Sequence, residues 1–536
     1  MAASGREALD RWRAARPKSL YDATPDLARA LRHRMGPEAL GALEPSLRAF
    51  GETVAQVVDP AAAVLEREGP VLDGQEVRFH PARDEAGRAV WASGILAAGA
   101  FEQAALFHLL AHAGEAGQAC PVACTAGLIR ALRAYGSREL QERFLPPLLD
   151  PDFDRCERGA QFLTEIQGGS DVGANLTRAV PDGSAWRISG EKWFCSVADA
   201  EQFVVTARPE GAPAGTAGIG CLLVPRLVDG RTNGFRIRRL KDKLGTRALA
   251  TGEIEFDGAL AWPIGELSDG FRIAAGIVLN TSRWLNALGS AGLMRRAYLE
   301  AASFAAQREA FGRPIAEFPL VRENLAVLRT EEQAALAATL EVTAVVDSRA
   351  ADDVAYHRIL VNANKFATAL AGTHAVRRAI ETLGGNGTIE DFSPLPRLYR
   401  DAIVFESWEG THNVLCAQVL RDLGRLGALD LVVERVRGAD PRVDAALAEL
   451  EPRLRESLAD PERGALHGRR QIATLVRAVQ GACLLREGAP EAVVELHVRR
   501  HLVPGWHPET DRHYAGLLEA AVSDEPPAVA ASGAYY

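Results

Sequence analysis

Lysine is nearly absent from this 536-residue sequence, since only five of its 61 basic residues are lysine and the rest are arginine. There are also only 3 methionines. With abundant alanine, this usage indicates a bias in coding composition more than a physical adaptation. The five lysines are Lys18, Lys192, Lys241, Lys243 and Lys365. The few positions that keep a lysine are therefore candidates for specific roles.

Cysteine is scarce too, with seven residues scattered along the chain. An odd, sparse set excludes a disulfide scaffold and favours reduced thiols in a cytoplasmic protein. Cys120 and Cys124 stand four residues apart, but no second Cys or His pair has zinc spacing. We therefore expect no metal site.

Long apolar runs are missing as well. No stretch of 18 uncharged apolar residues occurs, and the first turns carry Arg6, Arg11 and Arg13 in place of an apolar signal region. The sequence predicts neither export nor a membrane span. A net charge of -9 argues against general attraction to nucleic acid, and 47 % hydrophobic with 24 % charged residues is typical of a folded globular protein.

The composition and hydrophobic periodicity of the sequence change three times along the chain. Alanine- and leucine-rich helical spacing fills residues 1–157, and short β-type runs between Gly and Asp turns fill residues 158–270. Long helical periodicity returns over residues 271–424, followed by an Arg- and Glu-rich helical tail over 425–536. No Gly-x-Gly-x-x-Gly follows a strand, so a Rossmann site is not expected. We predict four domains in a mostly α, α+β fold.

Five short motifs have residue types suited to chemistry, although each alone is weak. A glycine-rich turn exposes backbone N–H groups that can bind a phosphate or an aromatic ring. A carboxylate beside a tryptophan can have a raised pKa and act as a general base. An arginine at the end of a helix can bind an anion. The motifs are TEIQGGSD (164–171), KWFCS (192–196), QREAFGRP (307–314), LGGNG (383–387) and FESWEGTHN (405–413).

In this order and spacing, the five motifs resemble those of the acyl-CoA dehydrogenase family of flavoproteins over roughly residues 75 to 424. The stretches KDKLG-x-R (241–247) and LPRLYR (395–400), with the extra helical tail, are similar to its AidB-like, alkylation-response subfamily. The resemblance implies an N-terminal helical domain, a middle β-barrel domain, a four-helix bundle and an extra C-terminal helical domain. It also implies FAD as the cofactor.

The family's cofactor contacts can be carried over residue by residue. The resemblance implies that the flavin is lined by residues of the β domain and by the turn after the base, and that the ADP half is held across a subunit interface. The implied flavin contacts are Thr164, Gly169, Ser170, Trp193, Phe194, Cys195, Ser196, Gly410 and Thr411. Those implied for the ADP half and pyrophosphate are Arg308, Phe311, Gly384, Gly385 and Gly387. Cys195 is interpreted as replacing a flavin-contacting threonine.

The implied reaction is removal of the α proton of an acyl-CoA by Glu409, with hydride passing from the β carbon to flavin N5. Some family members place the base directly before an arginine that matches Arg283, but that position is Ser282 here. Arg283 is expected to organise the acidic end of the substrate pocket, with a helix-surface salt bridge as the alternative. Glu406 lies three residues before Glu409 and leaves the base assignment open at this point.

The resemblance implies a homotetramer, an acyl-CoA or related small-molecule substrate, and an electron-transfer flavoprotein as a possible electron acceptor. The alternative function is an AidB-like flavoprotein that binds DNA through its C-terminal domain. From residue 425 onward there are 14 arginines against 17 acidic residues. The adjacent basic pairs are Arg469-Arg470 and Arg499-Arg500. The enzyme ranks first because duplex DNA needs several neutralised phosphates.

Overall fold

The computed structural model describes residues 5–523. The N-terminal part is helical, as expected, apart from a small hairpin of strands β1 (Val71–Asp73) and β2 (Glu76–Arg78). Its helices are α1 (Gly5–Ala14), α2 (Pro25–Met35), α3 (Pro37–Thr53), α4 (Asp59–Leu65), α5 (Ala82–Trp91), α6 (Ala100–Leu110), α7 (Ala119–Tyr135) and α8 (Arg138–Leu149). Helices α6 and α7 are almost wholly buried, which places them inside the molecule.

The middle part is a closed β barrel. Its strands are β3 (Gly159–Phe162), β4 (Arg178–Asp182), β5 (Ala185–Ser196), β6 (Gln202–Pro209), β7 (Gly220–Pro225), β10 (Phe235–Leu240) and β11 (Thr251–Pro263). Strands β8 (Leu227–Val228) and β9 (Arg231–Thr232) form a separate hairpin. Strand β11 pairs with β5 along most of its length and with β7 at its end, and β4 and β6 complete the ring. Two register shifts interrupt the β5–β11 pairing, one with the extra residue in β5 and one with the extra residue in β11.

Three long helices form the centre of the bundle: α10 (Asn280–Gln307), α11 (Pro319–Val345) and α12 (Ala351–Leu383). Helix α10 is buried on nearly all sides, so it lies in the core. The short helix α9 (Gly270–Ile273) precedes it, and a hairpin of β12 (Glu309–Ala310) and β13 (Arg313–Pro314) follows it. Helices α13 (Leu395–Ser407) and α14 (His412–Leu426) pack on α12.

The C-terminal helices are α15 (Leu429–Glu434), α16 (Pro441–Ala459), α17 (Pro461–Arg486), α18 (Glu491–Leu502) and α19 (Tyr514–Ser523). They dock on α11 of the bundle, where Glu331 pairs with Arg477 at 2.6 Å and with His501 at 2.7 Å. The predicted boundary at 424 falls inside α14, because that helix continues to Leu426 and ends at Gly427 in the left-handed conformation. No helix among residues 5–523 is long and apolar enough to cross a membrane.

A buried ion pair joins two of the sequence motifs. Lys192 Nζ on β5 lies 2.8 Å from Glu165 Oε1, and both side chains are almost fully enclosed. Glu165 also accepts hydrogen bonds from Leu176 N at 2.6 Å and from the Thr177 hydroxyl at 2.6 Å. Burial raises the pKa of Glu165, but Lys192 and these donors outweigh it and hold the pKa at about 2. The pair therefore fixes the 164–171 loop against β5.

Replacing Lys192 by methionine should cost about 3–5 kcal/mol of unfolding free energy, because Glu165 would stay buried without its cation. Urea unfolding at pH 7 measures the loss. The wild-type contribution should be complete above pH 4.5, the ordinary pKa of the carboxyl, and be lost as the pH falls toward 2. Arg138→Met, which breaks an exposed pair with Glu142, is the control. Equal stability of the two variants would contradict this role for the ion pair.

Candidate active site

Glu409 sits in the turn between α13 and α14 and lines an enclosed cavity at the centre of the molecule. Its backbone adopts the left-handed conformation, with φ at +57°, which is strained for a residue other than glycine and typical of functional sites. The cavity walls come from α6, α7, α10, α13 and the turn itself. They consist of Phe107, Ala119, Cys120, Ala123, Cys124, Ser282, Asn286, Phe405, Trp408 and Glu409.

Two buried cations hold this turn by its backbone. Lys365 Nζ donates to the carbonyls of Glu406 and Gly410, at 3.0 and 3.1 Å. Arg283 Nε donates to the carbonyl of Glu409 at 2.9 Å. Burial and the like charge of Arg283 lower the pKa of Lys365 to about 7. The strained geometry of the turn is thus set from α10 and α12.

Arg283 is buried, which excludes the alternative of a helix-surface salt bridge. Its Nη1 donates to Asn362 Oδ1 at 2.7 Å and to Asn280 Oδ1 at 3.1 Å. Burial lowers its pKa to about 10. Arg283 therefore contacts the backbone of the turn that carries Glu409, and its part in organising the acidic substrate end of the pocket stays a prediction.

The carboxylate of Glu409 has one side-chain hydrogen bond. Gln161 Nε2, on β3, donates to Glu409 Oε1 at 2.8 Å and lies 3.1 Å from the Ser282 hydroxyl. Burial raises the pKa of Glu409 above its ordinary value, against the lowering effects of Arg283, Lys365 and Gln161. A carboxylate with a raised pKa, aimed into an apolar cavity, has the properties of a general base.

The neighbouring carboxylate of Glu406 has a different partner from that of Glu409. Its Oε2 lies 2.7 Å from His412 Nε2, and His412 packs edge-on against Phe366 with ring centroids 5.3 Å apart. Of the two carboxylates, Glu409 lines the cavity and Glu406 does not.

The residues expected to line the flavin from the β domain lie on adjacent segments. Trp193 N donates to Thr164 O at 2.9 Å, and a Cβ at Gly169 would stand 2.4 Å from the Thr164 hydroxyl. Ser170 is exposed, and Phe194 is 56 % exposed. The Ser196 hydroxyl lies 3.2 Å from that of Thr251. The structure thus leaves an accessible aromatic and polar surface on β5.

The interpretation of Cys195 is wrong. Its side chain is fully buried in the barrel core, so the thiol cannot touch a group outside the barrel. The physical reason is a bulge: Cys195 pairs with Gly252 and Lys192 with Ile254, so two residues of β5 oppose one residue of β11. The hydroxyl outside the core belongs to Ser196, one position further along.

A second cavity lies at the other end of α10. It has a volume of about 630 Å³ and is lined in part by Arg308, Gly384 and Gly385. A Cβ at either glycine would meet no other atom within 4 Å, and Gly384 has φ at +62°. The structure thus brings the Arg308 motif and the glycine motif together in one open cavity. The arginine cation and the exposed glycine backbone suit an anionic ligand.

The other predicted glycine and aromatic positions differ in their roles. Gly387 does not line this cavity, and a Cβ there would stand 2.4 Å from the carbonyl of Ile380, so packing against α12 accounts for this glycine. The expectation that Gly387 admits a pyrophosphate stays a prediction. Phe311 is 97 % exposed at the tip of the β12–β13 hairpin. Thr411 is exposed at the start of α14.

Sequence reasoning missed the residues that surround Glu409 from distant parts of the chain. Gln161, Lys365 and Asn286 belong to none of the five motifs, although the scarcity of lysine offered a signal for Lys365.

All seven cysteines are free, and Cys120 Sγ lies 3.7 Å from Cys124 Sγ in the cavity wall. Within residues 5–523 no group of three or more His, Cys, Asp or Glu is arranged to hold a metal ion.

Comparison with known proteins agrees with this architecture. Residues 160–259 match the model of the acyl-CoA dehydrogenase middle domain, and residues 268–424 match that of the acyl-CoA dehydrogenase C-terminal domain. The chain belongs to the acyl-CoA dehydrogenase family. It is 35 % identical over 440 residues to AidB of Escherichia coli (strain K12), which covers 77 % of this chain and 79 % of AidB.

Two further relatives extend the match. Acyl-CoA dehydrogenase family member 11 of Caenorhabditis elegans is 32 % identical over 410 residues, or 70 % of this chain and 66 % of that protein. The structure of ACDH-11 from that organism, solved in complex with C11-CoA, aligns with a TM-score of 0.81 at 26 % identity over 89 % of both chains. An acyl-CoA dehydrogenase from Bacillus anthracis complexed with FAD shares the fold, with a TM-score of 0.70 over 90 % of this chain and 87 % of that one, at 19 % identity.

Lys365→Met should loosen the turn that carries Glu409, because two buried carbonyl oxygens would lose their shared donor. We expect a loss on the order of 2 to 4 kcal/mol in unfolding free energy and faster hydrogen exchange in the segment around Gly410. Lys18→Met, at an exposed position, is the matched control and should change neither quantity. Unchanged exchange in the Lys365 variant would show that the turn holds its shape without this cation.

Proposed function

We propose that this chain is an FAD-dependent acyl-CoA dehydrogenase in which Glu409 removes the α proton of an acyl thioester. The observation that carries the proposal is the placement of the Glu409 carboxylate at the wall of an enclosed, largely apolar cavity, with its pKa raised by burial. The membership of the family and the C11-CoA complex of ACDH-11 support a CoA thioester as the substrate.

The protein's own part in the reaction is to hold a base and exclude water. Lys365 and Arg283 fix the backbone of the turn, and Gln161 orients the carboxylate. The proton leaves the carbon next to the thioester carbonyl and is held on Glu409. When bound, FAD supplies the acceptor for the hydride that leaves the β carbon. An electron acceptor such as an electron-transfer flavoprotein then restores the starting state, and its identity stays a prediction.

The residues present fit FAD in two separate places. The β-domain surface around Trp193, Phe194 and Ser196 offers an accessible aromatic and polar wall for a flavin ring. Arg308, with Gly384 and Gly385, would hold the anionic pyrophosphate or ADP portion in the second cavity. The glycine cradle has no side chain of its own, which lets backbone approach a phosphate closely.

The distance between the two places supports an assembly of several copies. Arg283 lies on α10 and Arg308 directly follows its last residue, 25 residues later, which is about 37 Å at 1.5 Å per residue. One cofactor at the Glu409 end of α10 would therefore take its ADP contacts from a second copy of the chain. The exposed Phe311 at the hairpin tip is suited to such an interface. We propose the homotetramer that the family resemblance implies.

DNA binding through the C-terminal domain gains less support. Of the arginine pairs considered, Arg499 bonds to the carboxylates of Glu495 and Asp511. Arg469 lies over the ring of Phe366, 5.7 Å from its centroid. Two of the four paired arginines thus already have partners within the chain, and a domain with more acids than bases is poorly suited to a phosphate backbone.

Glu409→Gln should lower the rate of anaerobic flavin bleaching by a bound acyl-CoA by about 10²- to 10⁴-fold, because the general base is lost. The wild-type rate should rise with pH through the raised pKa of Glu409, since only the ionised carboxylate accepts the proton. Glu406→Gln makes the same chemical change beside His412 and should keep most of the rate. Stopped-flow absorbance measures all three. A Glu409 variant as fast as the Glu406 variant would contradict the assignment.

Arg308→Ala should weaken FAD binding by about tenfold, as expected when a charge-assisted hydrogen bond worth about 1.5–3 kcal/mol is removed. Calorimetric titration of FAD into the apoprotein gives the affinity. Arg138→Ala, on the exposed surface of α8, is the matched control. If the two variants bind FAD equally, the second cavity does not hold the cofactor.

A further inference from the structure

The outer face of β5 carries two aromatic residues in succession. Lys192 and Cys195 are buried in the barrel, whereas Trp193 is half-buried and Phe194 is exposed. Side chains on a regular strand alternate between its two faces, so neighbouring residues normally point in opposite directions. The bulge in β5 removes this alternation, because the two residues between Lys192 and Cys195 oppose a single residue of β11. Both rings therefore stand on the outside of the barrel.

A single lysine lies over both rings. Lys241 directly follows β10, and its Nζ is 3.4 Å from the centroid of the Trp193 ring and 5.0 Å from that of the Phe194 ring. Both distances are within the range of about 6 Å over which a cation is attracted to the face of an aromatic ring. The backbone of Lys241 is fixed as well, because its N–H donates to the carbonyl of Thr251 on β11 at 2.8 Å. The ammonium thus holds the two rings from a defined position.

One carboxylate keeps this ammonium in place. Glu253 is the residue of β11 opposite the bulge, and its Oε1 lies 2.8 Å from Lys241 Nζ and 2.7 Å from Arg239 Nη2. The side chain of Lys241 is 10 % exposed, whereas that of Arg239 is 58 % exposed. Two cations on one carboxylate give the cluster a net positive charge. Water and salt screen this charge least at Lys241, which is the cation that lies against the rings.

We infer that Lys241 is a positioning residue for the flavin surface that Trp193 and Phe194 provide on β5. This inference rests on the proposed function. The ammonium holds the two rings before the cofactor arrives, so that less ordering is needed on binding. Its charge also favours the reduced cofactor, because two electrons and one proton leave the flavin ring system with one negative charge that a nearby cation stabilises. Lys241 thus strengthens the binding of FAD and raises its reduction potential.

The test measures FAD affinity by calorimetric titration of the apoprotein and the reduction potential of the loaded protein against a reference dye. Lys241→Met should bind FAD about tenfold more weakly. Its potential should fall by about 30 mV, which is a tenfold loss of preference for the reduced over the oxidised cofactor. Lys241→Arg keeps a cation over the rings and should retain most of both quantities. Arg239→Met removes a cation from the same carboxylate on its exposed side and should change neither.

An unchanged potential in Lys241→Met overturns the inference even if binding weakens, because a merely structural lysine does not alter the potential. Equal losses in Lys241→Met and Arg239→Met, or no recovery in Lys241→Arg, overturn it as well.

Two further variants separate this inference from the proposed function. Trp193→Leu and Phe194→Ala should each weaken FAD binding if the β5 surface receives the flavin. Weaker binding in these two variants with wild-type behaviour of Lys241→Met overturns the inference alone. If both variants bind FAD as the wild type does, the proposed flavin surface is wrong and the inference fails with it.

Discussion

The candidate active site depends on the anchoring of one turn by two buried cations. Lys365 and Arg283 bind carbonyl oxygens of the segment 406–410, and the backbone they fix carries Glu409 at a positive φ. Such a conformation persists only where the surroundings over-determine it. The long helices α10 and α12 provide those surroundings, because they carry the two cations that hold the Glu409 turn in place.

A second constraint is the distance between the two proposed parts of the cofactor site. Arg283 holds the Glu409 turn at one end of α10, and the Arg308 cradle lies about 37 Å away at the other. In the proposed homotetramer a second copy of the chain would complete each site. The buried Glu165–Lys192 pair is a comparable constraint in the barrel, because it ties the 164–171 loop to β5.

Periodicity and turn residues predicted the helical, β and long-helix parts of the chain, because these depend on residues close together in sequence. The role of Glu409 as the base came from the resemblance to the family and stays a prediction. Sequence reasoning could not predict Gln161 as the partner of Glu409, since 248 positions separate them and only the folded chain brings them together. It misplaced Cys195 because strand alternation fails at a bulge. It also could not show that packing against the Ile380 carbonyl requires a glycine at Gly387, since a glycine run does not show which neighbour needs the space.

The central claim is that Glu409 takes the α proton of an acyl thioester. Exchange of that proton in deuterium oxide tests it most directly. FAD-loaded protein is incubated anaerobically with a short acyl-CoA, and loss of the α-proton signal is followed by NMR. Wild-type protein should catalyse the exchange, and Glu409→Gln should not. Exchange at the same rate in the variant, or none in the wild type while the thioester is bound, would contradict the account.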